Sequence, residues 1–262
     1  LMMWSCRISR YGEANPLESL DTCVPAIDNP SGRSCRMRRS VRGMLAIASG
    51  KGGCGKTTTA VGLARGLAHD GATPLVADAD REMPDLHLVA NVARTPGLPA
   101  LADGDRPAAV ARTPAEYPGI AVVPAGSATS ADVPAALDRL ARWHGPVLLD
   151  CPAGVARDAA RPLRAADRTL LVTNPEPQTL RDTVKTAAMA RTLGAAPVGV
   201  VVIDRSVERG TQTATLANAD ARTLLGCPVL ARIPAVSDPP LRAEPVRTAY
   251  RQVAKKLFKR NI

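Results

Sequence analysis

Aromatic side chains are nearly absent from this sequence: one Phe, three Tyr and two Trp among 262 residues. That scarcity excludes a ring-rich core and a stacking platform for the bases of single-stranded nucleic acid. The six cysteines, at positions 6, 23, 35, 54, 151 and 227, include no C-x-x-C pair. A zinc or redox motif is therefore not encoded, and the chain reads as reduced and cytoplasmic. No apolar run approaches the roughly 20 residues that a membrane span needs. The opening Leu1-Met2-Met3-Trp4 is too short for a signal-peptide core and is followed by Arg7 and Arg10.

What is present is small and aliphatic. Hydrophobic residues make up 45% of the chain. With so few rings, the core must be built from Ala, Val and Leu, which suits helices packed on a parallel sheet. The net charge is +10 and the pI about 9.8. Such a balance favours acidic partners: nucleic acid, an anionic membrane or polyphosphate.

Residues 1–43 differ from the rest. They hold seven Arg against four acids, a net +3, and show no sustained helix or strand period. They read as a disordered leader. Met44 stands directly before the first strand, where a domain can begin, which suggests that the leader is not native. Residues 44–262 keep a net +7.

From Met44 on, short apolar runs alternate with Ala/Leu/Arg-rich segments. The runs predict buried strands at Leu45–Ala48, Leu75–Ala77, Ile120–Val123, Val147–Leu149, Thr169–Val172, Val198–Ile203 and Val229–Ile233. Ala60, Leu63, Ala64 and Leu67 form a helical stripe closed by Gly71, and Thr179–Leu193 a second helix ended by Gly194. The expected fold is one α/β domain, a parallel sheet with helices on both faces.

Between the first strand and the first helix lies Gly50-Lys51-Gly52-Gly53-Cys54-Gly55-Lys56-Thr57, followed by Thr58. It fits G-x-x-x-x-G-K-[ST] in the strand–loop–helix context this motif requires. Glycines let backbone N–H groups turn inward around phosphate oxygens, and the helix adds its N-terminal dipole. Lys56 reaches the phosphates as a point charge, and the Thr57 hydroxyl is suited to ligating Mg²⁺.

Lys51 goes beyond the general motif. The pattern K-G-G-x-G-K-T-T resembles the MinD/ParA family of ATPases with a deviant Walker A loop, and is most similar to the MinD-like positioning and cell-division proteins. The resemblance implies a P-loop NTPase fold, ATP and Mg²⁺ as ligands, slow partner-stimulated hydrolysis, and an ATP-dependent homodimer. In that dimer Lys51 reaches the nucleotide of the opposing subunit. Val76-Ala77-Asp78-Ala79-Asp80 looks like the family's switch I; by that match Asp80 positions the attacking water and Asp78 supports Mg²⁺. Leu148-Leu149-Asp150-Cys151-Pro152-Ala153-Gly154 looks like Walker B with switch II, where Asp150 holds Mg²⁺ and Pro152, Ala153 and Gly154 form the moving turn. Cys151 reads as a small buried residue and not a nucleophile.

Thr173-Asn174-Pro175-Glu176, followed by Arg181-Asp182, resembles another family stretch. Asn174 there lies near the nucleotide or simply forms a turn before proline. One departure concerns the base. Where the family usually places Asn to read adenine, this chain has Asp204-Arg205. An acid accepts from the adenine amino group but cannot also donate to the ring, and it pairs well with guanine N1 and N2; the resemblance to the family still favours ATP. The iron–sulfur branches of the family are set aside, since no suitable cysteine pair follows Asp150.

Val246, Tyr250, Val253 and Leu257 share one face of a basic tail helix with Lys255, Lys256, Lys259 and Arg260 around its end. That pattern fits either the last helix of the fold or a weak contact with an anionic membrane at the inner face of the cell membrane. Three functional readings follow. The first is a MinD-like switch that works with an unidentified regulatory protein. The second is a ParA-like partition ATPase that binds DNA non-specifically through its positive charge. The third is a small-molecule kinase or synthetase, which lacks an evident acceptor constellation because His69, His87 and His144 are scattered.

Overall fold

The computed structural model describes residues 43–204, 216–234, 236 and 239–258. Residues 1–42, which carry the expected leader, and Arg205 lie outside the described residues. Seven strands form one parallel sheet: β1 Gly43–Ala48, β2 Leu75–Asp78, β3 Ala121–Val123, β4 Pro146–Asp150, β5 Arg168–Thr173, β6 Pro197–Asp204 and β7 Val229–Pro234. Their order is β3-β2-β4-β1-β5-β6-β7. Every apolar run named above occupies a strand. The reason is that strands of a parallel sheet are covered on both faces, so both of their side-chain sets are apolar. The first strand takes in Gly43, one residue before the expected domain start.

The helices are α1 Lys56–His69, α2 Leu86–Val89, α3 Leu98–Ala102, α4 Pro107–Val110, α5 Asp132–Leu140, α6 Arg157–Ala165, α7 Pro177–Thr192, α8 Asn218–Leu225 and α9 Glu244–Phe258. Alternation along the strands sorts the core into two layers. Leu45 and Ile47 of β1 face α1 and α9, with Val76, Leu148, Leu170 and Val201 beside them. Met44, Ala46 and Ala48 face the other way, with Leu98, Leu137, Leu163 and Ala190 of α3, α5, α6 and α7. Both predicted helix ends close in the same manner. Gly71 and Gly194 take positive φ, and the next residue, Ala72 or Ala195, bonds back to the carbonyl five residues earlier at 3.1 or 2.9 Å.

The tail helix α9 belongs to the fold. Val246, Tyr250 and Val253 are buried against α1 and β7, so the apolar face read as a membrane stripe is occupied within the domain. Tyr250 lies flat on Gly62, where a Cβ would come within 2.3 Å of its ring. Its hydroxyl pairs with Thr59 Oγ1 at 3.1 Å. No helix among the described residues is long and apolar enough to cross a membrane.

Candidate nucleotide-binding site

The strand order places β1 between β4 and β5, with β2 and β3 beyond one and β6 and β7 beyond the other. The chain changes direction across the sheet there, and in such sheets ligands settle at the C-terminal strand ends beside the change of direction. The phosphate loop leaves β1 at that point.

The loop is shaped by what surrounds it. A Cβ on Gly50 would lie 2.2 Å from the backbone of Asp182 in α7, so only glycine lets helix and loop meet. Gly55 ends the loop at φ 88°, a left-handed conformation, and α1 begins at the next residue. No side chain caps that helix, which leaves its first N–H groups aimed into the loop. Lys56 and Thr57 are both 8% exposed, and Cys54 is buried, whereas Lys51, Gly52 and Gly53 are exposed. Thr58 is half-buried. Lys51 offers its carbonyl to Ser49 Oγ at 2.7 Å, and its ammonium has no partner among the described residues.

Four carboxylates gather opposite Thr57. Asp78 ends β2 and Asp150 ends β4, and they are register partners on neighbouring strands. Both are buried. Asp78 accepts N–H bonds from Asp80 at 3.0 Å and Leu86 at 3.3 Å. Asp150 Oδ1 is buried without a hydrogen-bond partner among the described residues. Burial is the main cause that raises the pKa of both acids. The charge of Asp150 raises Asp78 further, while the Thr57 hydroxyl and the Lys56 ammonium draw Asp150 partly back. Two buried like charges side by side, with one oxygen of Asp150 lacking a donor among the described residues, form a site that a divalent cation would satisfy. With the Thr57 hydroxyl they make an all-oxygen donor set suited to Mg²⁺.

Asp85 is the member that sequence reasoning missed. It is exposed at the start of α2, and its Oδ1 accepts the Thr57 hydroxyl proton at 2.7 Å. That bond leaves the lone pairs of Thr57 free to face a cation. The only sequence signal was an acid seven residues after Asp78, which has no periodicity to mark it. Asp80 is half-buried and accepts the Met83 N–H at 3.1 Å.

The Pro152-Ala153-Gly154 turn folds back onto the loop. Gly154 donates its N–H to Ser49 O at 2.9 Å and has φ 81°. Cys151 is buried beneath it, and burial drives its thiol pKa far up, which fits a packing role. Arg81, one residue after Asp80, reaches Asp158 of α6 at 2.7 Å and so ties the β2 turn to the segment after β4. Asn174 serves its turn: its Oδ1 accepts the Glu176 N–H at 3.2 Å. The stretch that follows touches the loop through the α7 backbone at Asp182, against Gly50. Asp204 ends β6, one residue after Ile203, whose Cγ1 would lie 3.5 Å from a Cβ on Gly55. Asp204 is thus carried close to the loop by its strand.

A strand, a glycine-rich turn, an uncapped helix N-terminus and two acids at adjacent strand ends together define a P-loop nucleotide-binding protein of the α/β class. The sequence profile of the CobQ/CobB/MinD/ParA nucleotide binding domain matches residues 45–246. The chain belongs to that family. It is 33% identical over 208 residues to an ATP-binding protein of Methanocaldococcus jannaschii, an alignment that covers 76% of this chain and 75% of the relative. The cell division ATPase MinD of Pyrococcus furiosus superposes with a TM-score of 0.69 at 28% identity, over 83% of this chain and 98% of that one. The septum site-determining protein MinD of Pyrococcus horikoshii, solved with Mg-ADP, gives a TM-score of 0.71 at 24% identity, over 83% and 96%.

Proposed function

We propose that this chain is an ATP-driven molecular switch of the MinD type, which dimerises on ATP and releases on slow hydrolysis. One observation carries the reading: the loop holds two lysines in opposite situations. Lys56 is buried over the phosphate cradle, while Lys51 is exposed and without a side-chain partner among the described residues. A cation beside the phosphates that pairs with no side chain among the described residues is placed to serve a second copy.

The site supports hydrolysis as follows. The α1 N-terminus and Lys56 bind the phosphate oxygens. Mg²⁺, held by Thr57, Asp150 and Asp78, would supply charge neutralisation at the phosphates when bound. Asp80 orients a water for in-line attack on the γ-phosphorus, and the bond to the bridging oxygen of ADP breaks. Gly154 now gives its N–H to Ser49 O; moving that donor to a γ-phosphate oxygen couples nucleotide state to the turn after β4. Adenine is favoured by the ATP-binding relative and the ADP-bound neighbour, with Asp204 accepting from its amino group. Spatial positioning or cell division, with a regulatory protein as partner, is the process that the MinD relatives suggest.

Size-exclusion chromatography with light scattering tests this. The chain should dimerise with ATP and stay monomeric with ADP. Lys51→Ala should bind nucleotide but remain monomeric and inactive. A variant that dimerises normally on ATP would refute the role given to Lys51. The net +7 of residues 44–262 favours a second reading, a ParA-like switch that binds DNA non-specifically. DNA capture that falls steeply between low and high salt, without vesicle binding, would select it.

A further inference from the structure

At the other end of the sheet, three guanidinium groups converge on a cleft. It opens between the C-terminal half of α1 and the face of α9, beside the residues leading into β3, and holds about 290 Å³. Because α1 returns antiparallel to β1, Arg65 and His69 lie at the N-terminal edge of the strands. The phosphate loop lies at their C-terminal edge, so the two sites are separate. Arg65, His69, Arg247 and Arg251 line the cleft, with Tyr250 and Leu241 as its apolar part.

The backbone forces this convergence. A Cβ on Gly66 would come within 3.2 Å of Arg251 Cα and of Ala254 Cβ, so α9 lies directly on α1 at that turn. Arg247 and Arg251, one helical turn apart, then project along the same edge toward Arg65. Their charge is under-compensated. Among the described residues Glu244 is the one carboxylate that answers both Arg247 and Arg251. Arg65 has no carboxylate partner among the described residues; it donates to the Leu241 carbonyl and stacks 4.8 Å over the Tyr117 ring centroid. Arg247 Nε is buried without an acceptor among the described residues. Burial, and then the charges of Arg247 and Arg251, lower the Arg65 pKa from its usual value, as expected of like charges held together. A solvated basic face would let its arginines spread; here packing holds three of them around a concave space.

We propose that this cleft binds a phosphate-bearing anion of small size, either a free phosphomonoester or the phosphate of a lipid headgroup. Planar guanidiniums match phosphate oxygens through paired N–H bonds. The volume is near the lower end of ligand pockets, which run from about 300 to 1,000 Å³, and admits a phosphate with a compact organic body but not a dinucleotide. Tyr250 and Leu241 meet that body. Arg251 stands one turn from the exposed Lys255, so a headgroup bound here would also bring that ammonium group to a membrane surface, while the Lys256 ammonium donates to the Leu230 carbonyl at 2.6 Å.

The test uses the full chain saturated with Mg-ADP, so that the phosphate loop is closed to the probe. Glycerol 3-phosphate is titrated by calorimetry, and vesicles of phosphatidylglycerol or of phosphatidylcholine are co-sedimented. Saturable binding of glycerol 3-phosphate identifies a free ligand. Capture on phosphatidylglycerol but not phosphatidylcholine identifies a headgroup. In either case Arg65→Gln and Arg251→Gln should each weaken binding by about tenfold or more. Arg251→Gln removes a half-exposed side chain and should keep the wild-type ADP affinity, which guards against a folding artefact. Failure of both probes to bind, or binding unchanged in both variants, overturns the proposal.

Discussion

Replacing Asp150 with Asn should make the nucleotide-free protein more stable, although it removes a residue of the proposed binding site. Asp78 and Asp150 face each other across β2 and β4. Neighbouring strands lie about 4.8 Å apart, and two unit charges at that distance repel by about 3 kcal/mol at an effective dielectric near 20. The Lys56 ammonium offsets part of this, which leaves a relief of about 2 kcal/mol when one charge is removed. Both folded-state pKa values are raised, with burial the first cause. A raised carboxyl binds its proton more tightly when folded, so its stabilising contribution is full below the ordinary carboxylate range. That contribution is lost as pH climbs from there through the raised value. Wild-type stability without cation should therefore fall between about pH 4 and pH 8, and Asp150→Asn should flatten the fall. At about pH 8 in a chelator the variant should melt about 4–8 °C higher, and below about pH 4 the two should coincide. Differential scanning calorimetry reads this directly. Mg-ADP should then raise the wild type more than the variant. A variant melting at or below the wild type at about pH 8 would refute the picture of a stored repulsion awaiting a cation.

Asp85→Ala removes the acceptor of the Thr57 hydroxyl proton, and the Mg²⁺ concentration for half-maximal binding of a fluorescent ADP should rise about tenfold. Asp85→Asn keeps an acceptor oxygen and should restore most of it. Gly62→Ala thrusts a methyl into the Tyr250 ring and should cost about 3 kcal/mol in urea unfolding, the upper range of overpacking. Tyr250→Phe loses only the Thr59 bond and should cost about 1 kcal/mol. Arg81→Ala cuts the link to Asp158 and should leave ADP binding unchanged while altering the proteolysis pattern around Gly154 in ATP against ADP.

Local features were legible wherever one stretch of chain carries its own signal. Buried parallel strands announce themselves as continuous apolar runs, and all seven were visible. The phosphate loop needs its glycines and Lys56 at set spacings, because backbone N–H groups must surround one anion. The short helices Leu86–Val89, Leu98–Ala102 and Pro107–Val110 are one turn or little more, too brief to show a 3.6-residue period. The basic tail illustrates the boundary. Its amphipathic pattern fits a membrane anchor or a packed helix equally, and only Gly62 and Gly66 on α1, some 190 residues away, accept Tyr250 and close the question.

By itself, then, the sequence determined the class of fold, the phosphate-binding chemistry and the acids at strand ends, since each follows from backbone conformations that a few consecutive residues dictate. The tertiary structure decided what depends on distant parts meeting. Sheet order set Asp78 beside Asp150 and left one carboxylate oxygen without a donor. The start of α2 gave Thr57 its partner in Asp85, and α7 pressed its backbone on Gly50. The packing of α9 on α1 drew Arg65, Arg247 and Arg251 around one cleft. Electrostatic energies depend on separation and burial, and neither quantity is written in the order of residues along the chain.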